Sequence, residues 1–196
     1  MKQRKLLIII SICAFLCGCG NSDEEFNTIM MMPVTCDLSD ETVNEMKECK
    51  KLVEYDFDGM HYVTMGTDYV KFCDDTKALE DLLKVEILAP KDFESEFLVK
   101  MYEHGGSINA LSEVQQFDEV NYSVYVYMVE SLNGSTTTFN QEGTYRNEEI
   151  TINDIKAKLY SSPDKTSIIY SYGDANYVWE LETDDNEIIN NFIASF

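Results

Sequence analysis

Few side chains in the sequence could act as a catalytic base. The histidines are His61 and His104, and nucleophilic catalysis requires a serine, cysteine or threonine held beside such a base. The sequence contains no Gly-x-Ser-x-Gly turn, no glycine-rich phosphate loop and no His-Glu-x-x-His helix. We therefore predict that the protein is not an enzyme, and a hydrolase that uses one of the two histidines is the alternative.

Acidic residues in segment 54–59 have a spacing that occurs in calcium-binding loops. Glu54, Asp56 and Asp58 alternate before Gly59, as in the first six positions of an EF-hand loop. The twelfth position, which should supply a bidentate carboxylate, is Met65. We predict no metal site and no cofactor, and we interpret the segment as a polar connection between a helix and a strand.

Aromatic residues alternate along two predicted strands and could form a ligand-facing surface. One residue separates the members of each tyrosine pair, so both rings of a pair lie on one face of the strand. Packing beneath a helix is one interpretation, and an open aromatic face for a ligand or peptide is the other. The candidate ligand-facing aromatic residues are Tyr125, Tyr127, Tyr170, Tyr172 and Trp179.

Three cysteines lie beyond the N-terminal region, and an odd number cannot all pair internally. One bridge with a free thiol, or three reduced thiols, are both consistent with Cys36, Cys49 and Cys73. Their spacing matches no zinc site.

The N-terminus has the three parts of an export signal. Lys2, Arg4 and Lys5 precede the apolar run 6–16, and small residues follow it. A helix that crosses a hydrocarbon core needs about 20 apolar residues, which is well beyond the length of this run. Residues 1–18 are therefore predicted to be a cleaved signal peptide.

Residues 16–19, Leu-Cys-Gly-Cys, resemble the lipobox of bacterial lipoproteins of the Gram-positive type. The resemblance implies that the Cys19 thiol carries a diacylglyceryl group, with acyl chains such as palmitate, and becomes the new N-terminus. Two acyl chains anchor a protein stably where one does not. We therefore expect residues 19–35 to form a lipidated tether at the extracytoplasmic face of the cell membrane.

The composition after cleavage is strongly acidic and suits one folded domain over residues 36–196. Three of the 15 basic residues lie in the signal peptide, so 12 remain against 36 acidic residues, a formal charge of −24. Such a surface repels phosphate backbones, and nucleic acid is excluded as a partner. The hydrophobic fraction of 44% is sufficient for a core and excludes a disordered chain.

Hydrophobic periodicity predicts three helices and a series of strands. The helices cover Ser39–Val53, Thr76–Leu83 and the C-terminal segment that follows the acidic residues 183–187, and Asp74-Asp75 and Asp184-Asp185 are interpreted as helix caps. Turn residues separate the strands. We predict an α+β fold, an antiparallel sheet of successive hairpins packed by N-terminal and C-terminal helices. The predicted strands are 60–64, 69–72 (with a turn at 66–68 between them), 97–102, 122–129, 136–139, 149–152, 155–160, 167–172 and 177–181.

Residues 82–196 resemble the family called domain of unknown function 4367, which occurs in exported and membrane-anchored proteins. The similarity lies in the apolar segment that ends at Pro90, the tyrosine-rich strand 122–127, the turn at 153–154, the strand 177–181 and the final helix. Asp154 stands where family members often have glycine, and Tyr170 where they often have tryptophan. The resemblance implies the fold and the exported setting, and it carries no activity.

These observations predict a membrane-anchored lipoprotein whose domain is a non-enzymatic binding or envelope-sensing module. Its expected partners are the membrane, through the lipid anchor, and an unknown protein or envelope component. A carrier of an apolar small molecule or acyl chain is an alternative, with a cavity lined by Tyr125, Tyr127, Trp179 and Phe192.

Overall fold

The computed structural model describes residues 26–31, 38–102, 107–129 and 138–196. The predicted signal peptide, Cys19, Cys36 and His104 lie outside these ranges. The helices are α1 (Asp40–Lys47), α2 (Thr76–Leu83) and α3 (Asn186–Ala194). The strands are β1 (Phe26–Met31), β2 (Lys50–Phe57), β3 (Met60–Cys73), β4 (Phe97–Tyr102), β5 (Ser107–Ser112), β6 (Gln115–Phe117), β7 (Val120–Val129), β8 (Thr138–Thr144), β9 (Arg146–Ile152), β10 (Ile155–Ser162), β11 (Lys165–Tyr172) and β12 (Ala175–Leu181).

One open antiparallel sheet forms most of the structure. Its strand order is β2-β3-β4-β5-β7-β12-β11-β10-β9, and β6 pairs with part of β7. Two meanders therefore meet at the β7–β12 ladder, where Val124 lies opposite Trp179. β1 and β8 form a separate two-stranded sheet. The fold is broadly α+β, as the sequence predicts, but strands dominate the described residues.

Local sequence chemistry sets the ends of the helices. The Asp75 carboxylate accepts a hydrogen bond from the Ala78 N–H at 2.7 Å, and the Asp185 carboxylate accepts one from the Glu187 N–H at 2.8 Å. These contacts satisfy N–H groups in the first turn that have no partner within the helix. The predicted capping role of both aspartates is confirmed.

The first predicted helix is wrong beyond Lys47. Residues 50–57 instead pair with β3, and the Val53 side chain is 53% exposed rather than part of a helical apolar stripe. Segment 54–59, interpreted as a polar connection, is the end of this strand and its turn, in which Asp58 and Gly59 both have positive φ. Positive φ at both central residues is the conformation that tight hairpins favour.

The predicted turn at residues 66–68 is also wrong. β3 continues from Met60 to Cys73, and its register with β2 passes from Leu52 opposite Asp68 to Glu54 opposite Val63. The additional β3 residues form an irregularity of the bulge kind, which bends a strand and increases its twist. The expected tether also contains a strand, because residues 26–31 form β1 and pair with β8.

The main core covers one face of the sheet and is rich in aromatic rings. Trp179, Tyr177 and Phe97 are fully buried there, together with Phe192 of α3. The Phe192 ring lies 5.7 Å from that of Trp179, with the planes at 62°, a geometry favoured by the ring quadrupoles. No helix among the described residues is sufficiently long and apolar to cross a membrane.

Candidate functional site

A second group of tyrosines lies on the sheet face opposite the main core. Tyr125 and Tyr127 of β7 point to this face because residues two positions apart on a strand share a face, while Val124 before them and Val126 between them belong to the main core. Their rings stack with centroids 6.0 Å apart and planes within 14°. They border a groove of about 120 Å³. We call it the tyrosine groove, and its principal lining residues are Tyr62, Leu98, Lys100, Asn109, Leu111, Tyr125 and Tyr127.

The β2–β3 hairpin forms one wall of this groove. Tyr62 lines the groove with Tyr125 although β4 and β5 separate their strands in the sheet, so the outer half of the hairpin must fold over the face. The irregularity in β3 provides the bend. At the hairpin tip, the Val114 N–H donates to Asp58 Oδ2 at 3.0 Å and ties the turn to the chain after β5.

The groove continues past the hairpin tip towards a polar end. A depression of about 40 Å³ shares Tyr62, Leu111 and Tyr125 with the tyrosine groove. A further depression of about 100 Å³ shares Val114 and Ser123 with it. Lys165 and Glu180 line that last part, and their side chains form an ion pair with Nζ 2.5 Å from Oε1. The three depressions therefore follow β7 from Tyr127 to Asn121.

The charged groups of the groove are balanced. Asp68 is 2% exposed, and burial raises the pKa of its carboxyl, while the nearby Lys100 ammonium acts in the opposite direction. At the other end the Lys165 ammonium is matched by the Glu180 carboxylate. The lining thus offers hydrogen-bonding groups, aromatic rings and, towards each end, an ammonium that has a carboxylate close to it.

The hydroxyl of Tyr125 stays protonated at neutral pH. Burial, followed by the charge of Glu180 and the proximity of Tyr62, raises the pKa of Tyr125 to about 12. Burial and Asp58 also raise the pKa of Tyr62. Both side chains can therefore donate a hydrogen bond as well as present a ring.

The other candidate aromatic residues lie on the core face. Tyr170 and Trp179 are 3% and 0% exposed, and the Trp179 Nε1–H donates to the Tyr170 hydroxyl at 2.8 Å. Tyr172 is half-buried and donates to Glu86 Oε2 at 3.2 Å. The four residues expected to line a carrier cavity fall on two opposite faces, because Phe192 and Trp179 belong to the core while Tyr125 and Tyr127 line the groove.

Of the residues considered for catalysis and metal binding, Glu54, Asp56 and His61 are not among those that line the groove. His61 is exposed on the hairpin, and its Nδ1 lies 2.7 Å from Asp56 Oδ1. The acids at 54 and 56 lie along strand β2 rather than in a loop, and the described part of the chain holds no cluster of metal-binding side chains. Cys49 and Cys73 are free thiols, the first half-buried and the second buried.

Sequence reasoning found Tyr125 and Tyr127 but missed the residues that complete the groove. Tyr62, Lys100 and Asn109 come from three other strands, so only the long-range pairing unites them. The alternation of polar and apolar residues in Ser107-Ile108-Asn109-Ala110 is a signal that could have identified β5 and placed Asn109 and Leu111 on one face.

Comparisons of the chain with protein-family models, with curated proteins and with solved structures found no match.

Proposed function

We propose that the protein is a membrane-anchored extracytoplasmic lipoprotein whose domain binds an envelope component in the tyrosine groove and catalyses no reaction. The lipid on Cys19 would hold the domain at the outer face of the cell membrane. The terminal helices packed on the core face, the resemblance to domain of unknown function 4367, and the division into signal peptide, tether and domain belong to this proposal.

The groove is the observation that supports binding. It lies on the face opposite the main core, and half-buried Tyr125, Tyr62 and Lys100 line it beside buried Leu98. Such a mixture of apolar floor and converging polar groups is typical of binding sites. A carrier of acyl chains is less well supported, because ligand pockets for small molecules hold about 300 Å³ or more and this groove holds about 120 Å³.

Anchoring is tested by substitution of the cysteine that would be lipidated. We expect Cys19→Ala to abolish labelling by a fatty-acid probe and to release the protein from the membrane fraction, since no thiol then receives the diacylglyceryl group. Cys49→Ala is the matched control and should keep both the label and the membrane location. Persistent labelling of Cys19→Ala would contradict the proposed anchor.

Binding is tested on intact cells with a photoreactive amino acid. Placed at position 125 in the groove, it should give a discrete crosslink to an envelope component. Placed at position 145, where the tyrosine is 60% exposed outside the groove, it should not. Equal crosslinking from both positions, or none from position 125, would refute the groove as the binding site.

A further inference from the structure

We propose that the tyrosine groove binds an uncharged oligosaccharide. This inference rests on the proposed function and adds the chemical class of the ligand. It is carried by the position of the groove on the sheet, the balance of its charges and its dimensions.

The groove lies on a sheet face, which determines how a ligand can be recognised. β7 is paired on both sides, with Tyr125 opposite Leu111 of β5 and Val178 of β12. Its backbone N–H and C=O groups are used by these ladders, so a peptide cannot bind here by adding a strand, a mode that requires a free sheet edge. Recognition must come from side chains.

The side chains suit a ring that has an apolar face and a polar rim. The half-buried Tyr125 ring lines the groove with the buried Tyr127 ring stacked beside it, and Tyr62 of the hairpin lines the same groove. The C–H groups on a pyranose face are attracted by the electron-rich face of an aromatic ring. The Asn109 amide can both donate to and accept from the hydroxyl groups at the rim, and the Lys100 ammonium can donate.

Charge complementarity selects an uncharged ligand. Lys100 lies near Asp68, and Lys165 is paired with Glu180, so neither ammonium is available without competition for an anionic group. The acidic remainder of the molecule repels polyanions. The Asp68 and Glu180 carboxylates each have an ammonium beside them, so a cationic chain would have to compete with that ammonium.

The dimensions suit a chain of small rings. The groove holds about 120 Å³, and two smaller depressions continue it along β7. Along β7 the line runs from Tyr127 to Asn121, which is roughly 20 Å for six residue steps at about 3.3 Å each. A linear oligosaccharide can occupy such a line, with one ring against Tyr62 and Tyr125.

The test uses the full chain in detergent and isothermal titration with uncharged tetrasaccharides, namely chitotetraose, cellotetraose and maltotetraose. We expect at least one to bind. Tyr125→Ala should weaken that binding about tenfold or more, equivalent to about 1.4 kcal/mol, whereas Tyr125→Phe, which keeps the ring, should weaken it far less. Tyr145→Ala is the control and should bind as the wild type does. Because the ligand is uncharged, a rise in NaCl to about 0.5 M should leave the affinity almost unchanged.

Absence of binding by all three saccharides would overturn the inference, as would binding that Tyr125→Ala leaves intact. Should Tyr125→Ala unfold, Lys100→Ala and Asn109→Ala replace it, and both are expected to weaken binding. The photocrosslink from position 125 on cells separates the two proposals. A crosslink without saccharide binding means that the ligand class is wrong and the binding function stands, whereas the loss of both removes both proposals.

Discussion

Tyr170 links the aromatic core to the segment that precedes β4. Its hydroxyl accepts from the Trp179 Nε1–H at 2.8 Å and donates to the Leu88 carbonyl at 2.5 Å. The neighbouring Tyr177 donates to the Glu86 carbonyl at 3.0 Å. Burial raises the pKa of Tyr170 well above its usual range, so the hydroxyl keeps its proton and can fill both roles. The segment 86–88 is thus attached to the sheet through two phenol groups.

Tyr170→Phe should destabilise the protein markedly. The substitution leaves the Trp179 N–H and the Leu88 carbonyl without their partner, and an unsatisfied buried polar group costs about 1–3 kcal/mol. We expect the free energy of unfolding, measured by urea denaturation, to fall by about 2–4 kcal/mol. Tyr172→Phe removes the half-buried hydroxyl that reaches Glu86 and serves as control, with an expected change below about 1 kcal/mol. Equal effects of the two substitutions would contradict the assigned network.

Cys73 should make stability fall at alkaline pH. Burial raises the pKa of its thiol from 9.0 to about 11 in the folded protein, so the unfolded chain loses this proton first. The contribution of the protonated Cys73 thiol to the free energy of unfolding is fully present below about pH 9 and is lost as pH rises from 9 towards 11. We expect the free energy of unfolding to fall less steeply over that range in Cys73→Ala than in the wild type. Tyrosine ionisation affects both proteins alike, so identical slopes would refute the role of Cys73.

At the scale of elements, the sequence correctly predicts the helices and strands whose signals are local. α2 and β4 have the predicted bounds, Thr76–Leu83 and Phe97–Tyr102. The Asp75 cap marks the start of α2, and a run of apolar and aromatic residues around Lys100 marks β4. The predicted first helix is too long because Cys49 and Val53 continue a helical spacing. Residues 50–57 form a strand instead, since they pair with β3. Tertiary pairing overrides local propensity here.

The β9–β10 turn allows a direct test of a local backbone preference. Asn153 and Asp154 both have positive φ, 45° and 65°, a conformation that is unfavourable for residues with a Cβ and easy for glycine. Asp154 therefore adopts the conformation that this turn requires, at some cost in free energy.

Asp154→Gly should stabilise the protein. We expect the free energy of unfolding to rise by up to about 1 kcal/mol, since relief of strain exceeds the added freedom of the unfolded chain. Asp164→Gly is the matched control, because Asp164 is not among the residues with positive φ, and it should destabilise through the unfolded state alone. Thermal unfolding of both variants decides the point, and destabilisation by Asp154→Gly would contradict it.

At the scale of the whole molecule, the two meanders depend on one another. The β7–β12 ladder pairs Tyr122 with Leu181 and Tyr127 with Asn176, residues far apart in the chain. Hairpins can be inferred from turn residues, but a ladder between distant strands leaves no local signal. The β4–β5 and β5–β7 ladders likewise place Lys100, Asn109 and Tyr127 in one row, which explains why sequence patterns identified Tyr125 and Tyr127 without their neighbours from β3, β4 and β5.

The charge of the whole molecule leads to a prediction about salt. The full chain has a formal charge of −21, and ion pairs such as Lys77–Asp81 and Lys84–Glu41 join side chains that are largely exposed. Exposed pairs contribute only about 0–1 kcal/mol each, whereas repulsion among the excess carboxylates acts over the entire surface and is screened by salt. Raising NaCl from about 10 mM to 150 mM should therefore increase the free energy of unfolding, on the order of 1 kcal/mol.

Urea is the suitable denaturant for this measurement because guanidinium is itself a salt. Tyr170→Phe is the control and should show the same increase with salt, since the hydrogen bonds that it loses are uncharged. A constant or falling urea midpoint would contradict the prediction. It would mean that the attraction within the ion pairs outweighs the repulsion among the carboxylates, although the paired side chains are largely exposed.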